Sequence, residues 1–200
     1  VNGKETFPYA TAAIAAVRTM GKRDYISVTA FDSFPTKTVP LRQVGDYRTV
    51  ARRIDTIASA GGTDMYPGMV EGFKDLQKAE AAVKHMIVLT DGQTPDAKFD
   101  ELVNRMRQAK VTVTTVAVGN DANVPLLTGI ATRGGGKFYY VQNPRALPRI
   151  FLREVRRVAR PLVYEPPHPV TPLVIDPDNE ILRGLDGSLG LHAVQVLENQ

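Results

Sequence analysis

His85-Met86-Ile87-Val88-Leu89-Thr90-Asp91-Gly92 is an apolar run that ends in an acid and a glycine. A stretch this continuously apolar fits a strand covered on both faces, as in a parallel sheet flanked by helices. Upstream, Gly61-Gly62-Thr63-Asp64 follows another apolar segment and breaks it at a Gly-marked turn. The two stretches place hard oxygens, the Thr63 hydroxyl and the Asp91 carboxylate, at the edge of what reads as one sheet. With no His or Cys beside them, such oxygens suit Mg²⁺, Mn²⁺ or Ca²⁺ rather than zinc.

Outward from these loops the chain alternates. Glu5 to Met20 reads as an Ala-rich helix stopped at Gly21, and Tyr25–Phe31 as a strand closing at Asp32-Ser33. Thr38-Val39-Pro40-Leu41 reads as a short strand whose proline suits a sheet edge. Asp46 to Ala58 carries Val50, Ile54 and Ile57 at helical spacing. Thr63 is the expected cap of the next helix, with Pro67 in its first turns and Met69, Val70, Phe73 and Leu76 inward. Pro95 to Ala109 reads as helix, Val111–Val118 as a β-branched strand, Val124 to Thr132 as helix, Gly134-Gly135-Gly136 as a turn and Phe138–Val141 as a last strand. Asn143-Pro144 opens an Arg-rich helix. Strand and helix alternating through short connections predict an α/β, doubly wound, mostly parallel sheet flanked by helices. Ligands of such sheets bind beyond the carboxyl ends of the strands, where Asp91 falls.

Composition bounds the function. The chain has 200 residues, 43% of them hydrophobic and 23% charged, enough for one domain with a substantial core. It contains no Cys, so disulfides, thiolate metal sites and Cys nucleophiles are excluded. The net charge of +4 is concentrated in Arg145, Arg149, Arg153, Arg156, Arg157 and Arg160, with Glu154 among them. Beside Leu147, Ile150, Phe151, Val155 and Val158 these read as the solvated face of an amphipathic helix. Nucleic-acid binding is not expected, since no aromatics interleave with the arginines. No apolar stretch approaches the roughly 20 residues that span a bilayer, and Val1–Glu5 is no targeting segment. The start without Met suggests a piece of a longer protein. Residues 1–160 read as the domain, and the Pro-rich residues 161–200 as a linker or extended tail leading toward a further domain. Within the tail, Leu173–Ile175 and Leu191–Leu197 have strand-like composition.

The Gly-Gly-Thr-Asp loop and the strand-ending Thr-Asp-Gly resemble those of the von Willebrand factor A family. Thr29–Ser33, Thr115–Gly119 and Gly134–Tyr140 extend the resemblance over roughly Lys4 to Ala159. It implies a Rossmann-like fold with a metal-ion-dependent adhesion site (MIDAS), Thr63 and Asp91 being metal ligands. Asp64, Met65, Tyr66, Gly92, Gln93 and Thr94 would form the ligand rim. The first element of that site, an Asp-x-Ser-x-Ser on a central opening strand, has no counterpart at the start of this chain. Asp186-Gly187-Ser188-Leu189-Gly190 matches it in part and reads as a turn. The sheet is therefore expected to lack its first central strand. Thr63 and Asp91 alone cannot enclose a near-octahedral Mg²⁺, so cation binding by this fragment is expected to be weak or absent. An open sheet could be completed by Leu191–Leu197 or by a copy from a neighbouring chain, giving a strand-exchanged oligomer. Pro144–Phe151 resembles a bacterial subgroup of membrane-associated proteins that also carry a glutamine-amidotransferase-like domain.

The function implied is a non-enzymatic, adhesion- or scaffold-type module binding an Asp or Glu carboxylate of a protein partner through Mg²⁺, Mn²⁺ or Ca²⁺. Neither metal loop has a histidine beside it, and no Gly-x-Ser-x-Gly is present, which argues against hydrolysis. The alternative is a regulatory or nucleotide/phosphate-binding α/β module of a larger enzyme. Gly134–Gly136 fits that poorly, because it precedes a strand and no Lys-Ser/Thr pair opens a helix.

Overall fold

The computed structural model describes residues 8–58 and 62–159. The tail segments singled out above, Leu173–Ile175, Asp186–Gly190 and Leu191–Leu197, lie outside them.

Within the described residues the order is α1 (Pro8–Val17), β1 (Tyr25–Phe31), β2 (Pro35–Gln43), α2 (Tyr47–Ile54), α3 (Met65–Lys78), β3 (Lys84–Thr90), α4 (Phe99–Gln108), β4 (Val111–Val118), α5 (Val124–Arg133), β5 (Gly135–Val141), a 3₁₀ turn (Pro144–Ala146) and α6 (Leu147–Ala159). Local chemistry sets several starts. Asp46 accepts from the Arg48 amide to cap α2, and Asn123 accepts from the Leu126 amide to cap α5.

Three elements depart from expectation. The second strand is nine residues long, because β1 pairs with it antiparallel from Tyr25↔Gln43 to Phe31↔Pro35, with a bulge near Val28. Gly135 and Gly136 belong to β5 and only Gly134 remains outside it, capping α5. The fourth helix starts at Phe99, four residues after Pro95.

β3, β4 and β5 form a parallel sheet, in the order β3-β4-β5, with β4 central and almost wholly buried. β1 and β2 form a separate sheet. The single sheet read from the sequence is thus divided among the described residues, and β1 and β3 each have one edge without a strand. Every residue of β1 is only half-buried, as befits a strand paired on one side.

Two helices span both sheets. On one face α3 lies against Phe31 of β1 at Gly68 and against Met86 of β3 at Gly72. On the other face α1 places Ala12 and Ala16 in an apolar cluster with Val116, Val118, Leu147 and Phe151, and Ala10 and Val17 in a second with Val39, Val50 and Ile54. The largest cluster lies under α3, α4 and α5 and holds Met65, Met69, Phe73, Met86, Leu102, Met106, Leu127 and Ile130. No helix among the described residues is long and apolar enough to cross a membrane.

Candidate metal centre

β1 ends in a turn closed by Asp32, whose Oδ1 accepts from the Phe34 amide at 2.9 Å. The Asp32 carbonyl accepts from the Asp64 amide at 2.6 Å, which ties the Thr63 loop to the end of β1. Gly62 makes that approach possible. Its φ is +84°, and a β-carbon on it would lie 2.6 Å from Ser33 Oγ. The loop then passes over the end of β3: a β-carbon on Gly92 would lie 2.8 Å from Thr63 Oγ1. Two segments 28 residues apart in sequence therefore meet with the threonine hydroxyl against the residue after Asp91.

Several expected roles need correction. Asp64, not Thr63, occupies the N-cap position of α3, and its side chain makes no capping bond. Thr94 Oγ1 accepts from the Met65 amide at 3.0 Å instead, so the following loop satisfies the helix start. Met65 is fully buried in the main apolar cluster and contributes nothing to a rim, because the first turn of α3 rolls it inward. Tyr66 is half-buried, with its ring edge-to-face to Phe99 at 5.3 Å. Gln93 donates through Nε2 to the Asp121 carbonyl at 2.7 Å. Asp91 is exposed at the end of β3. Its Oδ2 accepts a 2.6 Å hydrogen bond from the Tyr9 hydroxyl on α1. Burial first, and then the Asp91 carboxylate, push the Tyr9 phenol above its ordinary range.

The donor set tests the implied metal. Thr63 and Asp91 are hard oxygen donors of the kind Mg²⁺ and Ca²⁺ take, and Gly92 leaves the space that Thr63 fills. No group of three or more His, Cys, Asp or Glu that could hold an ion occurs among the described residues. The oxygens of Thr63 and Asp91 therefore suit a hard divalent cation in kind.

A second polar group, which sequence reasoning missed, lies toward the opposite end of the sheet. Glu154, expected on the solvated face of α6, is fully buried. It accepts from Thr114 Oγ1, the Tyr139 hydroxyl and Arg157 Nη2, each at 2.7 Å. Burial pushes its carboxyl up, but these donors outweigh that and hold it below the ordinary value. His85 Nδ1 is 2.6 Å from Thr112 Oγ1, while its Nε2 has no hydrogen-bond partner and sits 3.6 Å from Glu154. Burial pushes the imidazole down to about 4, with Glu154 opposing and Arg157 reinforcing the shift. The signal in sequence was the four- and three-residue spacing of Leu147, Phe151, Glu154 and Val158, which places the acid on the apolar stripe.

Known proteins agree with this architecture. A 28% identical relative over 153 residues is an uncharacterized protein, sll0103, of Synechocystis; the match covers 74% of this chain and 36% of that protein. Among solved structures, a von Willebrand factor type A protein from Catenulispora acidiphila superposes with a TM-score of 0.67 at 21% identity, over 76% of this chain and 38% of that one. Proximal thread matrix protein 1 of the mussel byssus, solved with zinc occupying its MIDAS motif, superposes with a TM-score of 0.64 at 18% identity, over 74% and 40% of the two chains. The chain thus spans little more than a third of the length of these proteins. The model of the von Willebrand factor type A domain matches residues 4–153, and this chain belongs to that family, one of generally non-enzymatic modules often involved in protein–protein interaction.

Proposed function

We propose that the end of the sheet carrying Thr63 and Asp91 is a cation-dependent site for a protein partner, Thr63 and Asp91 each giving one oxygen to Mg²⁺, Mn²⁺ or Ca²⁺. The observation that carries this is the seating of Thr63 Oγ1 against Gly92, which brings the two loops together beyond the carboxyl ends of β1 and β3. A bound divalent cation supplies an open position that an Asp or Glu carboxylate of the partner fills. The protein's own part is to hold the two oxygens. The Asp32–Asp64 backbone bond and the left-handed Gly62 fix the Thr63 loop, while Thr94 fixes the start of α3 behind it. Asp64, Tyr66, Gln93 and Thr94 surround the position, with Gln93 and Thr94 already engaged in bonds that shape it. The mussel neighbour with metal in the corresponding motif supports a divalent ion as ligand.

Two ligands from one chain imply weak binding by this chain alone. Thermal-shift measurements with millimolar Mg²⁺, with and without a carboxylate-bearing peptide, test the reading. A stabilisation that needs both cation and peptide supports it. Stabilisation by nucleotides alone, or a micromolar Mg²⁺ constant unaffected by Asp91→Asn, overturns it. The domain boundary near residue 160 and the membrane association of a larger parent belong to the same reading.

A further inference from the structure

Asp91 is held by a residue far away in the chain. Tyr9, in the first turn of α1, donates its hydroxyl to Asp91 Oδ2 at 2.6 Å across 82 positions of sequence. The Tyr9 ring packs against the apolar cluster that contains Ala12, Ala16, Val116 and Leu147, with Leu89 of β3 also against it. The phenol is therefore anchored on the same layer that supports the strand leading into Asp91. A carboxylate offers two oxygens, and a donor fixed on one of them restricts rotation of the group while leaving the other to accept.

We infer that Tyr9 is a positioning residue for cation binding: its hydroxyl holds Asp91 Oδ2 and leaves Oδ1 as the oxygen presented to the ion. This rests on the site proposed above. Ligating carboxylates are commonly hydrogen-bonded by a neighbour in this way, and removing that neighbour costs on the order of 10–100-fold in metal affinity. The bond also fixes the order of importance within the site. Asp91 contributes a ligand, and Tyr9 acts only through it.

The chain contains no Trp and seven Tyr, so emission from bound Tb³⁺, a hard-cation probe, is sensitised here by tyrosine alone. Tb³⁺ titration of the full chain, followed by excitation of tyrosine and by Mg²⁺ competition, compares the parent with Tyr9→Phe, Asp91→Asn and Tyr25→Phe, Tyr25 lying at the start of β1, the end away from Asp32. Asp91→Asn is expected to abolish binding. Tyr9→Phe should weaken it about 10–100-fold and lower the emission at saturation, with the cation-free melting temperature unchanged, while Tyr25→Phe keeps the parent's affinity. Three results overturn the role of Tyr9: Tyr9→Phe binds as tightly as the parent, binds more tightly, or loses cation-free melting temperature in step with affinity. Parent binding that Asp91→Asn leaves intact, or no parent binding at all, overturns the site itself and Tyr9's role with it. Loss in Asp91→Asn alone overturns only the role of Tyr9.

Discussion

Thr63 Oγ1 lies 2.8 Å from the position a β-carbon would take on Gly92, so the hydroxyl fills the space that glycine leaves. Gly92→Ala leaves no room for the Thr63 hydroxyl where it stands, so the Thr63 side chain must turn or move away. The expected result is a loss of about 1–3 kcal/mol from overpacking, together with loss of any Tb³⁺ or Mg²⁺ response. Chemical denaturation reads the first and the Tb³⁺ titration the second. Unchanged stability and unchanged cation response would show that the two loops do not depend on this contact.

Gly62 acts on the same loop from the side of β1. A residue other than glycine at φ +84° is strained, and its β-carbon would also meet Ser33 Oγ at 2.6 Å and Ser33 N at 3.0 Å. Gly62→Ala is expected to cost about 1–3 kcal/mol. It should also raise amide exchange at Asp64, whose N–H depends on the Asp32 carbonyl at the turn the new methyl would displace. Hydrogen exchange resolved at that amide is the measurement.

The alternation of strands and helices was legible because each element is bounded by local punctuation. Gly21 precedes β1, and Asp46 and Asn123 cap α2 and α5. The contents of the site were less legible, because they depend on partners distant in sequence. Met65 is adjacent in sequence to the Gly-Gly-Thr-Asp loop and read as rim, yet the rotation of α3 puts it in the core. Thr94 serves the start of α3 from 29 positions away, and Tyr9 reaches Asp91 across 82. No local pattern encodes such pairs. Glu154 misled for a related reason. An acid in a run of arginines reads as solvated, and only Thr114 and Tyr139, from two strands, show that its burial is satisfied.

That satisfaction has a measurable size. Glu154→Ala removes the acceptor for two hydroxyls and an arginine at once, leaving the buried Thr114 hydroxyl, the half-buried Tyr139 hydroxyl and the Arg157 guanidinium without it. About 3 kcal/mol of destabilisation is expected, and Tyr139→Phe, which removes one donor from the carboxylate, should cost about 1 kcal/mol. Because the group lies on the α6 face of the sheet, away from Asp91, neither change should alter Tb³⁺ affinity in the folded protein. A Glu154→Ala variant as stable as the parent would show that solvent already reaches the carboxylate.

His85 makes the same region sensitive to acid. Its imidazole is buried and neutral, with a folded value of about 4 against 6.5 for the free group. As pH falls below 6.5 the unfolded chain takes up a proton at this position and the folded chain does not, so stability declines from there to about pH 4 and then levels off for this group. The full effect corresponds to roughly 3 kcal/mol. Glu154 acts in the same direction at lower pH. Its carboxyl is held below the ordinary value when folded, so the stability it contributes is present above the unfolded value and is lost as pH falls through the folded one. The parent should therefore lose stability steadily on acidification from neutrality. His85→Gln, which carries no proton to exchange, should flatten the portion between pH 6.5 and 4 while leaving the loss that Glu154 contributes at lower pH. Urea unfolding at closely spaced pH values measures both. Parallel curves for the two proteins would show that His85 is protonated as readily in the folded state as in the unfolded one.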